Sequence, residues 1–596
     1  MLKDIYTSVL DEKTNFETGI GVPVAGSWDW SMYNHINYSL LMKNGQFPTT
    51  QTKMGDRPNK NIILPILNVA YRSEGFDVKD IEVYVDNADF YHLSLLARKF
   101  HNRWALEHDM DTFIDEVVEN YVDYGGVLVK NVNNERPEVV PWQSIAFCDQ
   151  TDILSGTIAI KHQYSIDQLK DMEKQGWYKD EIDMAIISAR EEKDNSQALG
   201  QSAKTPDKHI EVYEVHGTFP KSWLSDGEYL EDEEYIKQLH IITYLKGKDD
   251  TKHGICLFKG PETKSIFKFL SRDKIFGRAL GRGGVEELFE PQIWTNFNMI
   301  NMTNMLKEAS KVIYQTADKG FTTRNNTKNT KSGDVMVYED TPATQLNTQP
   351  INFNLFDRAI AEWEQQARVT GSASDPALGL NPVSGTPLGT TQTIVAQGVG
   401  IHEYRRGKIA TFISEIYRDW VVDYLLRAIN KGDEWLDELT LDELQEVAEK
   451  VSINYSNQRI KEAILSGREV TVDEQNTLRQ IIKDEYLKGG KQRFMKIMKD
   501  DFAKLPLNLK INVAGKQADL VRTADKLSNV FRAIFQNPQG FVQAMQIPAV
   551  ARSFSQMIEA SGLSPMDFTT IPRVEDMSPM ESPVQIPNQM ATEPQL

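Results

Sequence analysis

Two aspartates separated by one residue are the feature of this sequence that most resembles a metal site. Asp109 and Asp111 form an Asp-x-Asp triplet, a spacing that some transferases use for a divalent cation, which prefers carboxylate oxygens. The same residues stand where carboxylates cap the start of a helix, because an apolar helical pattern follows them. The sequence favours the capping role, and a metal-dependent enzyme acting on nucleic acid is the weaker alternative.

Glycines cluster twice in positions that could bind phosphate. Residues 277–284 contain four glycines before a predicted helix, whose first backbone N–H groups could hold an anion. Glu286 and Glu287 fill the first turn and oppose an anion there, so a tight entry into the helix is favoured. Residues 489–492 read Gly-Gly-Lys-Gln and lack the earlier glycine and the following Ser or Thr of a nucleotide-binding P-loop.

Other residues capable of catalysis or metal binding are scattered. The ten histidines show no metal-ligand spacing, and Cys148 and Cys256 are too few for a disulfide framework or a zinc site. Hydrolase and metalloprotease motifs are absent from the sequence. We therefore expect a protein that is not an enzyme, has no cofactor and no metal site, and keeps reduced cysteines in a cytoplasm.

Length and charge narrow the class of protein. A chain of 596 residues is too long for one core, so two to four domains are expected. Its net charge of −19 argues against an ordinary DNA-binding protein, because phosphate neutralisation needs basic residues. On charge alone, the acidic balance is best explained by solubility, although it would also suit a conduit through which DNA slides without adhering. We expect no secretory signal and no membrane span, since Pro65 interrupts the longest apolar run.

The first half of the chain combines helical and strand patterns. Helices are predicted at 87–108 and 109–121, where apolar residues recur at helical spacing. Several short runs then alternate apolar and polar residues, as in antiparallel sheets with one wet face. These predicted strands lie at 126–129, 139–140, 158–160, 210–215 and 241–245.

The middle of the chain, residues 277–430, has the most distinctive order of elements. A helix, which Pro291 either kinks or starts, leads into an insert with strand-like ends at 311–314 and 335–338. A second helix begins near Asn354 and stops at Gly371. A loop rich in Gly, Pro and Ser follows, and then a long helix over 391–430.

The last part of the chain is predicted to be mostly helical. Thr440 and Thr471 each open a capping box, which marks the start of a helix. Alternation over 505–513 indicates a strand, and 519–535 and 541–560 read as amphipathic helices. From about residue 564 the composition is that of a flexible tail.

This order resembles the portal proteins of tailed double-stranded DNA bacteriophages, the head-to-tail connectors. The segments that carry the resemblance are GRGGVEELFEPQIW at 281–294, the insert at 314–353, TGSASDPALG at 370–379 with SGTPLG at 384–389, and HEYRRGKIATF at 402–412. The match is close over the middle quarter of the chain and general elsewhere.

The resemblance implies an α+β subunit of a ring. Its parts would be a wing (1–280), a first stem helix (281–313), a clip with β structure (314–353), a second stem helix (354–371), a tunnel loop (372–390), a long helix from wing to crown (391–432), a helical crown (433–562) and a flexible tail (563–596).

A portal function would also follow from the resemblance. About twelve copies would form a ring at one vertex of the virion capsid, after synthesis in the cytoplasm of the bacterial host. Double-stranded DNA would be packaged and ejected through it, and the partners would be the large terminase subunit, the major capsid protein with its scaffold, and a head-tail adaptor. Another virion component, such as an adaptor or baseplate protein, is the alternative.

Candidate site residues follow by position within these parts. The tunnel loop facing the DNA channel would contain Ser372, Ser374, Asp375, Pro376, Leu378, Asn381, Pro382, Ser384 and Thr386. The clip, which docks the motor and the adaptor, would present Lys319, Arg324, Lys328 and Lys331. The subunit interface would involve Trp363, Arg405 and Arg406, although pairing of the two arginines within the chain is equally open. Adjacent arginines cannot share one face of a helix.

Overall fold

A computed structural model describes most of the chain up to residue 511. The described residues are 4–26, 28–45, 60–85, 100–132, 136–191, 209–225, 234–246, 252–262, 266–309, 313–325, 335–339, 341–346, 353–373, 375, 377–378, 388–422, 424–425, 441–468, 470–488 and 507–511. The chain divides into two compact units, Met1–Val513 and Ala514–Leu596, and every described residue belongs to the first. The helices predicted at 519–535 and 541–560 and the tail therefore lie outside the described residues.

The described part is a mixed α+β structure. Its helices are α1 (Ile5–Glu17), α2 (Met32–Lys43), α3 (Ile63–Glu74), α4 (residues 100–107), α5 (Met110–Tyr124), α6 (Ile166–Asp171), α7 (Lys179–Glu191), α8 (Ser222–Ser225), α9 (Gly284–Glu287), α10 (Phe289–Ala309), α11 (Phe321–Arg324), α12 (Phe353–Thr370), α13 (Leu388–Ile416), α14 (Leu441–Leu465) and α15 (Val472–Lys488). None of the described helices is both long and apolar enough to cross a membrane.

The strands of the described residues form five antiparallel sheets. They are β1 (Val22–Ala25), β2 (Trp28–Trp30), β3 (Ile81–Val85), β4 (Gly126–Lys130), β5 (Glu138–Val139), β6 (Ile145–Phe147), β7 (Ile158–Tyr164), β8 (Ile210–Pro220), β9 (Tyr235–Lys246), β10 (Lys252–Pro261), β11 (Phe267–Ser271), β12 (Ile313–Gln315), β13 (Thr344–Leu346) and β14 (Leu507–Ile511). Four of the five strand predictions between 126 and 245 are confirmed, and these strands extend beyond the predicted runs. The fifth, predicted at 139–140, lies one residue earlier, at Glu138–Val139.

The largest sheet has the strand order β10-β9-β8-β7-β6. Its neighbours in space are also neighbours in sequence, which is the simplest antiparallel connection. Alternate residues of β8 such as Val212 are fully buried against α6 and α7 through Leu169 and Ile182. A smaller sheet, in the order β11-β4-β5, lies beside it and shares a core with α1 and α2.

A second core joins the middle of the chain to the first part. The apolar stripe of α13, formed by Ile409, Phe412, Ile413 and Ile416, is buried, as its helical spacing predicts. It packs with α3 and α5 in one cluster of buried side chains. The predicted single helix over 391–430 differs from the structure in two ways. It starts earlier, at Leu388, and after Ile416 it widens into a π-helix over Tyr417–Val421.

The last described strand belongs to a sheet with an early one. The strand predicted at 505–513 is present as β14, and it pairs with β3 so that Leu507 lies opposite Val85 and Ile511 opposite Ile81. Residues assigned from sequence to the crown therefore share a sheet with residues assigned to the wing. The capping box predicted at Thr471 does start α15, and Thr471 and Glu474 exchange the expected side-chain to backbone hydrogen bonds at 3.4 Å. Helix α14 begins at Leu441, but Thr440, which opens the other predicted capping box, lies outside the described residues.

Helices α10 and α12 form an antiparallel pair with a small hairpin at its far end. Pro291 lies in the first turn of α10 and marks the start of the helix. At the far end β12 pairs with β13, so that Ile313 lies opposite Leu346. The second strand predicted for this insert, residues 335–338, is wrong: these residues are described without regular structure, and the partner of β12 lies nearer α12.

Candidate functional site

The start of the predicted tunnel loop is fixed by the end of α12. The N–H of Ser372 donates to the carbonyl of Val369, and the N–H of Ala373 donates to that of Arg368 at 2.9 Å. This is a Schellman motif, whose left-handed residue is usually glycine. Here that residue is Ser372, with φ of 52°, and not the Gly371 expected from sequence to end the helix.

Gly371 has a packing role instead. A Cβ atom built on it would lie 2.3 Å from Cγ2 of Ile66 in α3. Such a distance is far inside van der Waals contact, so only a residue without a side chain lets α12 end against α3. The entry to the loop is therefore attached to the body of the subunit.

Two further loop residues are also held in place, one by α12 and one by the body. The Asp375 carboxylate accepts a hydrogen bond of 2.8 Å from Nη1 of Arg368. Leu378 packs, partly buried, against the core that contains α13. Ser374, Pro376, Asn381, Pro382, Ser384 and Thr386 lie outside the described residues.

The predicted clip residues differ in their surroundings. Lys319 is exposed in a turn. Arg324 instead pairs with Asp318 and, at 3.0 Å, with Glu339. The hydrogen bond from Arg324 holds the pKa of the Asp318 carboxyl below its ordinary value. The positive charge of Arg324 is thus neutralised within the chain. Lys328 and Lys331 lie outside the described residues.

Trp363 is part of an aromatic cluster on the helix pair. Its ring stacks on that of Trp294 in α10, with centroids 6.2 Å apart and planes 12° apart, and Phe297 meets Trp294 edge-on. The exposed fractions of Trp294 and Phe297 are 42% and 51%. The structure therefore places a predicted interface residue beside apolar rings that remain open to solvent in one subunit.

Arg405 lies in a buried ionic cluster within the chain. Its guanidinium pairs with Asp273, with Glu287 at 3.2 Å and with Glu74 at 3.7 Å. Only 4% of the side chain is exposed. The expectation of a subunit contact is corrected for Arg405, and the pairing within the chain that the sequence left open is the one observed. Arg406 is also buried inside the subunit.

The same cluster contains His402 and Arg272. Nδ1 of His402 lies 2.9 Å from the Glu74 carboxylate, which also accepts a 2.7 Å hydrogen bond from Arg272. Burial lowers the pKa of Arg405, but the Glu287 and Glu74 carboxylates outweigh it and raise that pKa above its ordinary value. The cluster connects α13 to α3, α9 and the chain after β11, and so fixes the long helix on the body.

Neither of the two motifs that could bind a ligand forms a binding site among the described residues, and the capping role predicted for Asp109 is wrong. The glycine cluster packs backbone against backbone: a Cβ on Gly125 would lie 2.3 Å from the Gly281 carbonyl oxygen. Asp109 precedes α5 with a left-handed φ of 50° and makes no side-chain cap, while Asp111 accepts a hydrogen bond from the N–H of Val78. Among the described residues no group of three acidic, His or Cys side chains could hold a metal ion.

No protein-family model matches this chain, and neither does any curated protein.

Proposed function

We propose that the chain is a portal-type subunit, which assembles with copies of itself into a ring that conducts double-stranded DNA. This proposal rests on the resemblance of the sequence and on one structural observation. An antiparallel helix pair projects from an α+β body, carries a small β-hairpin at its far end, and is followed along the chain by a loop and a long helix.

The root of the helix pair supports its role as a stem. Gln292 in α10 accepts a 2.9 Å hydrogen bond from the N–H of Ile62 and donates one of 2.8 Å to the carbonyl of Lys60. Asn296, one turn later, accepts from the N–H of Lys60. Together with the contact of Gly371 on Ile66, these bonds hold both helices on the entry to α3.

Exposed apolar side chains on the helix pair support assembly. Besides Trp294 and Phe297, the large apolar residues Leu306 and Leu355 are about half exposed or more, at 50% and 62%. A helix that is apolar on more than one side is normally covered by another element. In a cyclic ring these exposed apolar side chains would be covered by a different surface of the next copy, as heterologous contacts require.

In this proposal the ring acts through shape and charge and does no chemistry of its own. The stem would form the channel, the net charge of −19 would limit adhesion of DNA, and the loop beginning at Ser372 would narrow the channel. The terminase would supply the energy, and the clip would dock it and later the head-tail adaptor.

Native mass spectrometry and negative-stain images of one purified sample test the proposal. We expect closed rings of about twelve copies with a central hole. The double variant Trp294→Ala with Phe297→Ala should weaken the ring, whereas Leu106→Ala, which removes an apolar side chain 85% exposed elsewhere, should leave it unchanged. Dimers or tetramers without a hole would contradict the portal assignment and favour an adaptor or baseplate protein.

A further inference from the structure

A buried cluster of charged and titratable groups lies where the two larger sheets meet. His216 on β8 is at its centre, with only 4% of its side chain exposed. Nε2 of this ring lies 2.9 Å from Glu214 Oε1, and Nδ1 lies 3.3 Å from Glu262 Oε1. Both ring nitrogens therefore face carboxylate oxygens.

This geometry restricts the protonation state of the histidine. A neutral imidazole has one N–H donor and one acceptor nitrogen, and only the imidazolium donates from both. An acceptor nitrogen opposite a carboxylate would bring two lone pairs together, which is repulsive. The arrangement is satisfied when His216 carries two ring protons, or else when Glu262 holds one of them.

The charges around the ring favour the imidazolium. Glu214 accepts two hydrogen bonds from Lys130, at 2.5 and 2.7 Å, and a third of 2.8 Å from His162. Although burial raises the pKa of Glu214, the bonds from His162 and His216 hold it well below the ordinary value. Lys130 and a protonated His216 then balance Glu214 and Glu262.

The groups that surround His216 come from both sheets. In the larger sheet, Glu214 shares β8, His162 lies on β7, Glu262 follows β10, and the residue opposite on β9 is the apolar Leu239. The smaller sheet supplies Lys130 from β4 and Phe267 from β11, whose ring meets the imidazole edge-on at 4.8 Å. Lys130 and Phe267 are cross-strand partners, so they lie next to each other on the smaller sheet.

We propose that His216 is a proton-dependent joint between β8 and the segment that leaves β10 towards β11. Protonated on both nitrogens, it holds Glu214 and Glu262 together. Loss of one proton at alkaline pH breaks the bond to Glu262 and loosens the end of β10 and the start of β11. This inference does not depend on the portal function.

The sign of the pH dependence follows from the contacts. Burial lowers the pKa of His216, but its hydrogen bonds to Glu214 and Glu262 outweigh burial and raise it above the ordinary 6.5. The stabilisation is complete below 6.5 and is lost as pH rises through the folded pKa. Between pH 6.5 and the pKa of His216 in the folded protein, the equilibrium constant for unfolding should rise by up to about tenfold per pH unit, because one proton is linked to folding.

Mass spectrometry of the full chain tests the joint in two ways. The exchange rate of the histidine C2 proton as a function of pH reports the pKa of each histidine, and we expect the pKa of His216 above 6.5. Backbone amide exchange, corrected for its intrinsic pH dependence, should become several-fold faster at alkaline than at neutral pH in β10 and β11. A His216 pKa at or below 6.5 would overturn the proposal.

Three variants distinguish an effect of His216 protonation from a general effect of pH. In His216→Gln, β10 and β11 should exchange at one corrected rate at both pH values. In Glu262→Gln, the amide can donate to a neutral imidazole, so the pKa of His216 should fall and the pH dependence should disappear. His209→Gln removes a histidine just before β8 and leaves both carboxylates, so it should behave as the unmodified protein. Unchanged pH dependence in either of the first two variants would contradict the proposal.

Discussion

At the scale of single residues, the Arg405 side chain shows most clearly how one residue type contributes both to packing and to charge balance. A guanidinium reaches three carboxylates because it presents five N–H donors in a rigid plane. Its partners Glu74, Asp273 and Glu287 come from three separate segments. No local pattern joins those segments, so the sequence could mark Arg405 as a charged helical residue but could not identify its partners.

Removing this guanidinium should be costly. We expect Arg405→Ala to lower the free energy of unfolding by about 3–5 kcal/mol, because buried carboxylates are left without their cation. Arg358→Ala is the matched control: its pair with Glu362 is exposed on one helix and should contribute only about 0.3–0.5 kcal/mol. Chemical denaturation of both variants measures the difference, and equal losses would contradict the buried cluster.

At the scale of elements, the sequence predicted which segments are helices and strands better than where they pair. The alternation at 505–513 identifies β14, yet nothing near it indicates β3 as the partner. In the insert, the Val-Met-Val-Tyr segment at 335–338 suggested a strand, but the side chain of Asn325 satisfies both the N–H and the carbonyl of Val337. A side chain thus replaces the strand pairing that propensity favoured.

For the candidate site, too, the sequence predicted the local structure better than the contacts between elements. The end of the second helix was predicted from Gly371, and α12 does end at Thr370. The loop that follows was predicted from its Gly, Pro and Ser content, and most of it lies outside the described residues. The attachment of the loop through Arg368 and Ile66 was not predicted, because it depends on how α12 meets α3. Contacts between elements of this kind have no signature in a single sequence.

Glycines at the ends and in the middle of helices give an element-scale prediction. Gly371→Ala should destabilise the protein by about 1–3 kcal/mol, because the new Cβ overlaps Ile66. Gly407→Ala, within α13, should instead stabilise it by about 0.5–1 kcal/mol, since nothing lies within 4 Å and alanine favours helix. Thermal unfolding of the two variants provides the measurement. Stabilisation by Gly371→Ala would contradict the close contact of α12 with α3.

At the scale of the whole molecule, the proposed ring would use different residues for assembly and for the passage of DNA. Residues 379–386 lie beyond Asp375, which α12 holds, and Leu378, which the body holds. Their deletion should therefore leave the subunit and the ring intact. We expect this deletion to impair genome packaging or retention of DNA, measured as DNA content per particle in a complementation assay.

A deletion of the same length within 192–199 is the control for that experiment. This polar stretch lies in the predicted wing, so shortening it should preserve packaging. Normal DNA content after deletion of 379–386 would contradict the assignment of the tunnel loop.

The pairing of β14 with β3 has a consequence for synthesis of the chain. Ribosomes add about 5–20 residues per second, so β3 emerges on the order of tens of seconds before β14 can reach it. During that interval an edge strand of the nascent protein lacks its partner, and unpaired edges promote association between chains. A premature stop before Leu507 would make that condition permanent, and the released fragments would be expected to aggregate even though most of the subunit had been translated.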